Sequence, residues 1–257
     1  MLSTLDLGNS RWKLRVWAEG GREIDERLDL SGALGERLGA LESFLGACAS
    51  RPLCFALSSV VDPEHERRVE ACLARHGELL RVEPGLENRC REPGRVGRDR
   101  LFAARGALAL AGVSCLVVDA GTALTVDAVV ARREAPGVFL GGAIAPGPAL
   151  LARSLSTWAA RLPAIDPAPG APFLGRSSEE AIASGVVHGF RGAARELVRG
   201  VAAEAGLSEA SVVITGGARS FLLEPEGLFR SPLVHEDLVH LGLFAAVAGA
   251  GLKRFAP

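Results

Sequence analysis

The feature that most constrains this chain occurs twice. An apolar run ends in Asp, a Gly follows two residues later, and a small polar residue comes next. The first copy is Asp6-Leu7-Gly8-Asn9 and the second is Asp119-Ala120-Gly121-Thr122. After each turn a strand-like segment resumes, Trp12 to Trp17 in the first copy and Leu124 to Ala131 in the second. Strand, tight turn and strand make a β-hairpin. Helix and strand patterns then alternate in both halves. The chain therefore reads as α/β, with two similar halves over residues 1–112 and 113–257. The default ligand site is the cleft between such halves.

The remaining elements follow from periodicity and punctuation. Helices are expected over Leu34 to Ala49, Pro63 to His76 with Asp62 as N-cap, and Arg98 to Leu110. Further helices are expected over Ala149 to Ala160, Glu179 to Ala205 and Leu238 to Leu252. Strands are expected over Leu2 to Leu7, Pro52 to Val60, Leu79 to Val82, Ser114 to Val118, Val138 to Ile144 and Val212 to Ile214. Glu83 to Val96 and Leu162 to Gly175, rich in Pro and Gly, read as loops.

Composition excludes several classes. Hydrophobic residues make up 48% and charged residues 23%, as in an ordinary globular enzyme. The net charge of -1 gives no global attraction to nucleic acid or to an anionic membrane. The five cysteines are odd in number and form no CxxC pair, which argues against a disulfide framework or a structural zinc site. The chain reaches Asp6 without a basic-then-apolar leader, and the apolar stretch Leu241 to Leu252 is short for a bilayer. A cytoplasmic location is expected. Lys occurs only at Lys13 and Lys253, so Lys13 stands out against an Arg-rich background.

Four motifs carry the chemistry. In Asp6 to Lys13, Gly8 lets the backbone approach a phosphate, and Asn9 and Ser10 supply further donors. Asp6 can hold Mg²⁺, which favours one or two carboxylates together with phosphates. Lys13 supplies a point charge. In Asp119 to Asp127, Asp119 ends a fully apolar strand, where a nearby cation relieves a costly carboxylate. Thr122 and Thr125 can bond phosphate oxygens. An ordinary hairpin turn reads the same in either place; the matched pair argues for facing phosphate loops. In Gly97-Arg98-Asp99-Arg100, Asp99 reads either as a helix cap or as a general base, with Arg100 as a fork for a substrate carboxylate. Gly141 to Gly147 (GGAIAPG) reads either as a tight strand-to-helix turn beside a nucleotide or as a glycine-rich structural turn, and Thr215-Gly216-Gly217 likewise follows a strand and opens a helix, where it suits an adenosine or phosphate contact. No G-x-x-x-x-G-K-[ST] occurs, so a P-loop kinase is excluded.

Taken in order, D-x-G-N-[ST], G-x-D-R, D-x-G-T-x-x-T-x-D and G-G-x-I-x-P-G resemble the type III pantothenate kinase family. Gly8-Asn9-Ser10-Arg11 is nearer the subgroup first named Bvg accessory factors, and Ser58-Ser59-Val60 and Thr215-Gly216-Gly217 also fit. The resemblance spans about Leu2 to about Gly251. It implies two RNase H-like, actin-like halves of the actin/hexokinase/acetate-kinase superfamily. It implies transfer of the ATP γ-phosphoryl group to pantothenate, a homodimer, Mg²⁺, and a monovalent cation, K⁺ or NH₄⁺. By position, Asp6, Leu7, Gly8, Asn9, Ser10, Arg11, Trp12, Lys13 and Thr122 would contact ATP. Asp99 would be the general base, and Asp119 would hold the monovalent cation. Gly97, Arg98, Asp99, Arg100, Cys90 and Ser178 would line the pantothenate site, Ser178 reaching it from the partner subunit. Cys90 stands where the family usually has Tyr, and Ser177-Ser178 replaces Asn-Thr. A kinase of another small hydroxy acid and a non-catalytic nucleotide-binding regulator are the alternative readings.

Overall fold

A computed structural model of the chain describes residues 1–18, 24–48, 53–133, 136–225 and 227–250. Ala49, Pro52, Gly251, Leu252 and Lys253, included in the sequence reading, lie outside them. The chain divides into two compact units.

In the first unit, β1 (Leu2–Leu7), β2 (Trp12–Trp17) and β3 (Ile24–Leu30) form an antiparallel meander. Strands β4 (Leu53–Ser59) and β5 (Gly77–Leu80) join in parallel, giving the order β3-β2-β1-β4-β5. Alternation sorts the side chains. Leu5, Leu7, Trp12, Leu14, Phe55 and Leu57 pack on one face with helices α1 (Leu34–Ala47) and α2 (Pro63–Leu73). The expected cap of α2 is present, Asp62 Oδ1 accepting from the Glu64 amide at 2.8 Å. Thr4, Asp6, Lys13, Trp17 and Ser58 fall on the other face. Helix α3 (Arg98–Ala111) completes this unit together with the last helix, α7.

The second unit repeats the plan. Its antiparallel meander is β7 (Cys115–Ala120), β8 (Ala123–Val130) and β9 (Val138–Pro146). Strands β10 (Ser211–Thr215) and β11 (Leu233–Val234) join in parallel, so the order is β9-β8-β7-β10-β11, with the two-residue β6 (Glu87–Asn88) outside β9. Helix α5 (Ser178–Ala205) covers the face that carries Leu116, Val118, Leu124, Val126 and Ile214. It is capped at its start by Ser177 Oγ, which accepts from the Glu180 amide at 3.2 Å, and at its end by left-handed Gly206. Helices α4 (Pro148–Trp158) and α5 share a small core of Ala152, Ile182 and Val186, and the short α6 (Ser220–Leu223) follows β10.

Beside the two-residue β11, which the sequence reading also lacked, three features depart from that reading. Strand β3 was absent from it; IDERLDL is a charged edge strand with little burial, so it lacks an apolar alternation. The loop from Glu83 to Val96 contains β6 and a 3₁₀ turn over Pro93–Arg95. A single cut near Gly112 does not describe the division: residues 88–90 join the second unit, and α7 (Leu238–Gly249) joins the first. Helix α7 is buried on nearly every side, so it has no polar face to leave in solvent, and it packs against β1 and β4.

Candidate active site

In the first unit, Asp6 lies next to the end of β1. Its Cα partners are Lys13 across β2 and Ser58 across β4. Carboxylate, ammonium and hydroxyl therefore stand side by side on one sheet face. The turn beyond is closed by the Gly8 amide donating to the Arg11 carbonyl at 3.1 Å. A Cβ on Gly8 would sit 3.0 Å from that same oxygen. Arg37 of α1 braces the turn: its Nη2 donates to the Ser10 carbonyl at 3.3 Å, and its guanidinium lies over the Trp12 ring. Asn9, Ser10 and Arg11 are exposed, whereas the Leu7 and Trp12 side chains are in the core and leave only main chain for a ligand.

Motif three reaches the same unit. The Val60 amide, just past β4, donates to the Leu7 carbonyl at 3.1 Å. Gly97 packs on Val60, and a Cβ there would also fall 2.5 Å from Asp99 Oδ1. Asp99 is the second residue of α3, and its Oδ1 accepts from the Arg100 amide at 2.8 Å. Burial raises the Asp99 carboxyl above the usual range, against the opposing pull of that amide and of the Arg100 charge. Arg98 is already engaged: Nη1 donates to Glu83 at 3.0 and 3.1 Å, and Nη2 donates to the Val82 carbonyl at 2.8 Å. Its guanidinium therefore pins the start of α3.

In the second unit three glycine turns converge on Asp119. Its Cα partners are Thr125 in β8 and Thr215 in β10. The Gly147 amide donates to the Thr122 carbonyl at 2.9 Å, and a Cβ on Gly147 would lie 2.2 Å from the Gly121 oxygen. Gly216 has φ +94°, and a Cβ there would meet Asp119 Oδ1 at 2.4 Å and the Ala120 oxygen at 2.3 Å. Only glycine fits both the conformation and the space. Cys90 sits beside Gly141, its amide donating to Asn88 Oδ1 at 3.0 Å. Ser178 opens α5 and is exposed. The predicted residues thus fall in two sets. Asp6 to Lys13 and Gly97 to Arg100 belong to the first unit; Cys90, Asp119, Thr122 and Ser178 belong to the second.

The implied cations are hard and call for oxygen donors. Among the described residues no cluster of three or more His, Cys, Asp or Glu could hold a metal. A lone carboxylate suits Mg²⁺ that arrives with phosphates, and buried Ser58 Oγ, without a hydrogen-bond partner among the described residues, adds a hydroxyl beside Asp6. Asp119 with neighbouring threonine hydroxyls is a hard, singly charged oxygen set, which suits a monovalent cation. Both sets fit. Sequence reasoning flagged Ser58 and Thr215 only as parts of motifs; their sheet register, which puts each beside an aspartate, is what it missed.

The family described as type III pantothenate kinase matches residues 2–200. The chain belongs to the type III pantothenate kinase family. A member from Porphyromonas gingivalis is 34% identical over 245 residues, covering 93% of this chain and 94% of its own. A member from Halorhodospira halophila is 35% identical over 256 residues, covering 92% and 95%. One from Thermus thermophilus is 38% identical over 206 residues, covering 78% and 79%. Among solved structures, the ethanolamine utilization protein EutJ from Carboxydothermus hydrogenoformans aligns with a TM-score of 0.55 at 13% identity, covering 94% of this chain and 88% of that one. The Lmo2764 protein from Listeria monocytogenes aligns with a TM-score of 0.50 at 16% identity, covering 97% and 99%. These distant likenesses speak to fold alone: an α/β fold whose two units repeat one plan.

Proposed function

We propose that this chain phosphorylates pantothenate with ATP, giving 4'-phosphopantothenate, the first step of coenzyme A synthesis. The carrying observation is the first unit's layout: Asp6 between Lys13 and Ser58, with Asp99 at the start of a helix seated on the same strand exit. Phosphoryl transfer of this kind needs mainly positioning and charge stabilisation. The turn Gly8 to Arg11 offers amides and polar side chains to the phosphates, and Lys13 balances their charge. Asp6 would hold Mg²⁺, which would supply neutralisation of phosphate charge. Asp119, with Thr122 and Thr125 near it, is assigned to K⁺ or NH₄⁺. Asp99 orients the pantothenate hydroxyl and accepts its proton; its raised carboxyl makes it a stronger base than an ordinary aspartate. Arg100 pairs with the substrate carboxylate, and Cys90 and Ser178 line the substrate.

The homodimer reading gains a second support. Gly185, Gly189 and Gly192 of α5 are exposed, and a Cβ on any of them would meet no atom within 4 Å. Internal packing therefore does not explain them. Leu150 and Trp158 on α4, and Phe173 and Leu174 just before α5, are exposed as well. Apolar surface of this kind marks protein contacts. All five cysteines are free thiols, which fits a reducing cytoplasm. No helix among the described residues is long and apolar enough to cross a membrane.

The test is ADP release from Mg-ATP with pantothenate, with and without K⁺, beside an Asp99→Asn control. Turnover that needs pantothenate, rises with K⁺ and disappears in the variant supports the reading. ATP binding without turnover on pantothenate sinks it, and a panel of other hydroxy acids then decides whether Cys90 has changed the substrate.

A further inference from the structure

Helix α7 has no part in the chemistry above, yet it touches both of its first-unit components. On one side it is fastened to β1 and β2. His240 Nδ1 lies 2.9 Å from Thr4 Oγ1, and Trp17 Nε1 donates to that same hydroxyl at 2.9 Å. The Thr4 hydroxyl thus accepts from Trp17 and is hydrogen-bonded to the imidazole, joining the two side chains. Phe244, one turn on, stacks at a tilt on Trp17 with centroids 4.6 Å apart. Thr4 stands two residues before Asp6 on the same sheet face. His240 is fully buried, and burial holds its pKa well below the ordinary value, so it is a neutral fixture.

On its other side α7 meets α3 backbone to backbone. A Cβ on Gly242 would lie 1.8 Å from the Phe102 oxygen and 3.0 Å from the Gly106 amide nitrogen. A Cβ on Gly106 would lie 2.2 Å from the Leu238 oxygen and 2.9 Å from the Gly242 nitrogen. Neither glycine has a positive φ, so the backbone conformation does not demand them. The space does. Helices usually meet through side chains, which can change rotamer and absorb a shift. Two facing glycines leave no such slack. Phe102 is one turn beyond Asp99, so the carbonyl that touches Gly242 belongs to the same stretch of helix as the base.

We propose that α7 is the positioning element for Asp99: the Gly106–Gly242 seam sets where α3 holds the carboxylate, and His240 ties that seam to the strand carrying Asp6. This rests on the reading of Asp99 as the general base. Gly106, Gly242 and His240 are positioning residues, since none is argued to touch substrate.

The experiment uses the full chain with Gly242→Ala, Asp99→Asn and, as a control in open space, Gly39→Ala on α1. For Gly242→Ala, kcat is expected to fall roughly 10–100-fold, the scale of a 1 Å misplacement at a reacting group, with a much smaller change in the KM for ATP. The acid limb of its kcat–pH profile should move, because the burial around Asp99 changes; a merely less stable enzyme would not move it. Wild-type kcat and profile in folded Gly242→Ala, with Asp99→Asn inactive, would overturn the positioning role and leave the base intact. An active Asp99→Asn would overturn both, and only that variant would report it. If Gly242→Ala does not fold, His240→Ala carries the test. A lowered kcat restored by His240→Asn, whose amide can meet Thr4 Oγ1, supports the proposal; wild-type kcat in His240→Ala overturns it.

Discussion

The two sheets share one strand order and put an aspartate at the same point, but they give it different neighbours. Asp6 has Lys13 on one side and Ser58 on the other, whereas Asp119 has Thr125 and Thr215. The strand exits differ too. Strand β4 leaves through Ser59, which carries a side chain; β10 leaves through Gly216, which has no room for one. A charged neighbour suits a polyanion, and neutral hydroxyls suit a single small cation. The same scaffold is thus specialised by the residues one strand away from the shared aspartate, not by the aspartate itself.

The largest expected effect tests whether proton transfer belongs to the first unit alone. Asp99→Asn should lower turnover by ~10²–10⁴ in steady-state ADP release. An equal loss in Asp119→Asn, with no change in K⁺ response, would break the contrast. Asp99→Asn should also change stability with a definite sign. A carboxyl raised by burial binds its proton more tightly folded than unfolded, so its contribution is present at acid pH and lost as pH rises through the folded value. The variant should therefore unfold at higher denaturant than wild type at neutral pH, and the gap should close below the ordinary carboxylate range.

The strand exits come next. Gly216→Ser forces a side chain into a left-handed, crowded position and should lose roughly 2–4 kcal/mol in urea unfolding. Ser59→Gly, its counterpart, should lose less than ~1 kcal/mol. Similar losses would show that the exits are not specialised. The neighbours of the aspartates follow. Lys13→Met should weaken ATP by about 1.5–3 kcal/mol, read as its KM, because a charged partner of the phosphates is gone. Thr125→Val should leave the KM for ATP nearly unchanged and reduce stimulation by K⁺. The smallest effect concerns α5. Gly189→Ala should gain ~0.5–1 kcal/mol of helix propensity within the chain and weaken the proposed homodimer in sedimentation. Sedimentation unchanged by the substitution would remove α5 from the proposed contact.

Most of the fold was legible because most elements announce themselves locally. The hairpins showed in the repeated Asp-x-Gly, α2 in its Asp62 cap, and α5 in its apolar spacing. Strand β3 did not, because an edge strand in water needs charge more than pattern. The allegiance of α7 did not either. Its apolar residues predict burial but not against what, and the partners Phe102 and Gly106 lie more than a hundred residues upstream. For the site, residue identities were legible and neighbourhoods were not. Ser58 and Thr215 looked like strand ends until register placed them beside Asp6 and Asp119. Leu7 and Trp12 lay inside a ligand motif, yet their side chains serve the core.

The bond between Thr4 and His240 spans 236 residues of sequence. A ribosome makes β1 long before it makes α7. Until α7 emerges, one face of the first sheet, with Trp17 and Ala56, has no permanent cover, while the second unit can already close on itself. Contacts this distant in sequence form slowly and leave apolar surface open in the meantime. The first unit therefore starts before the second and is completed after it, and a nascent chain halted before Leu238 has every residue of the second unit but not of the first.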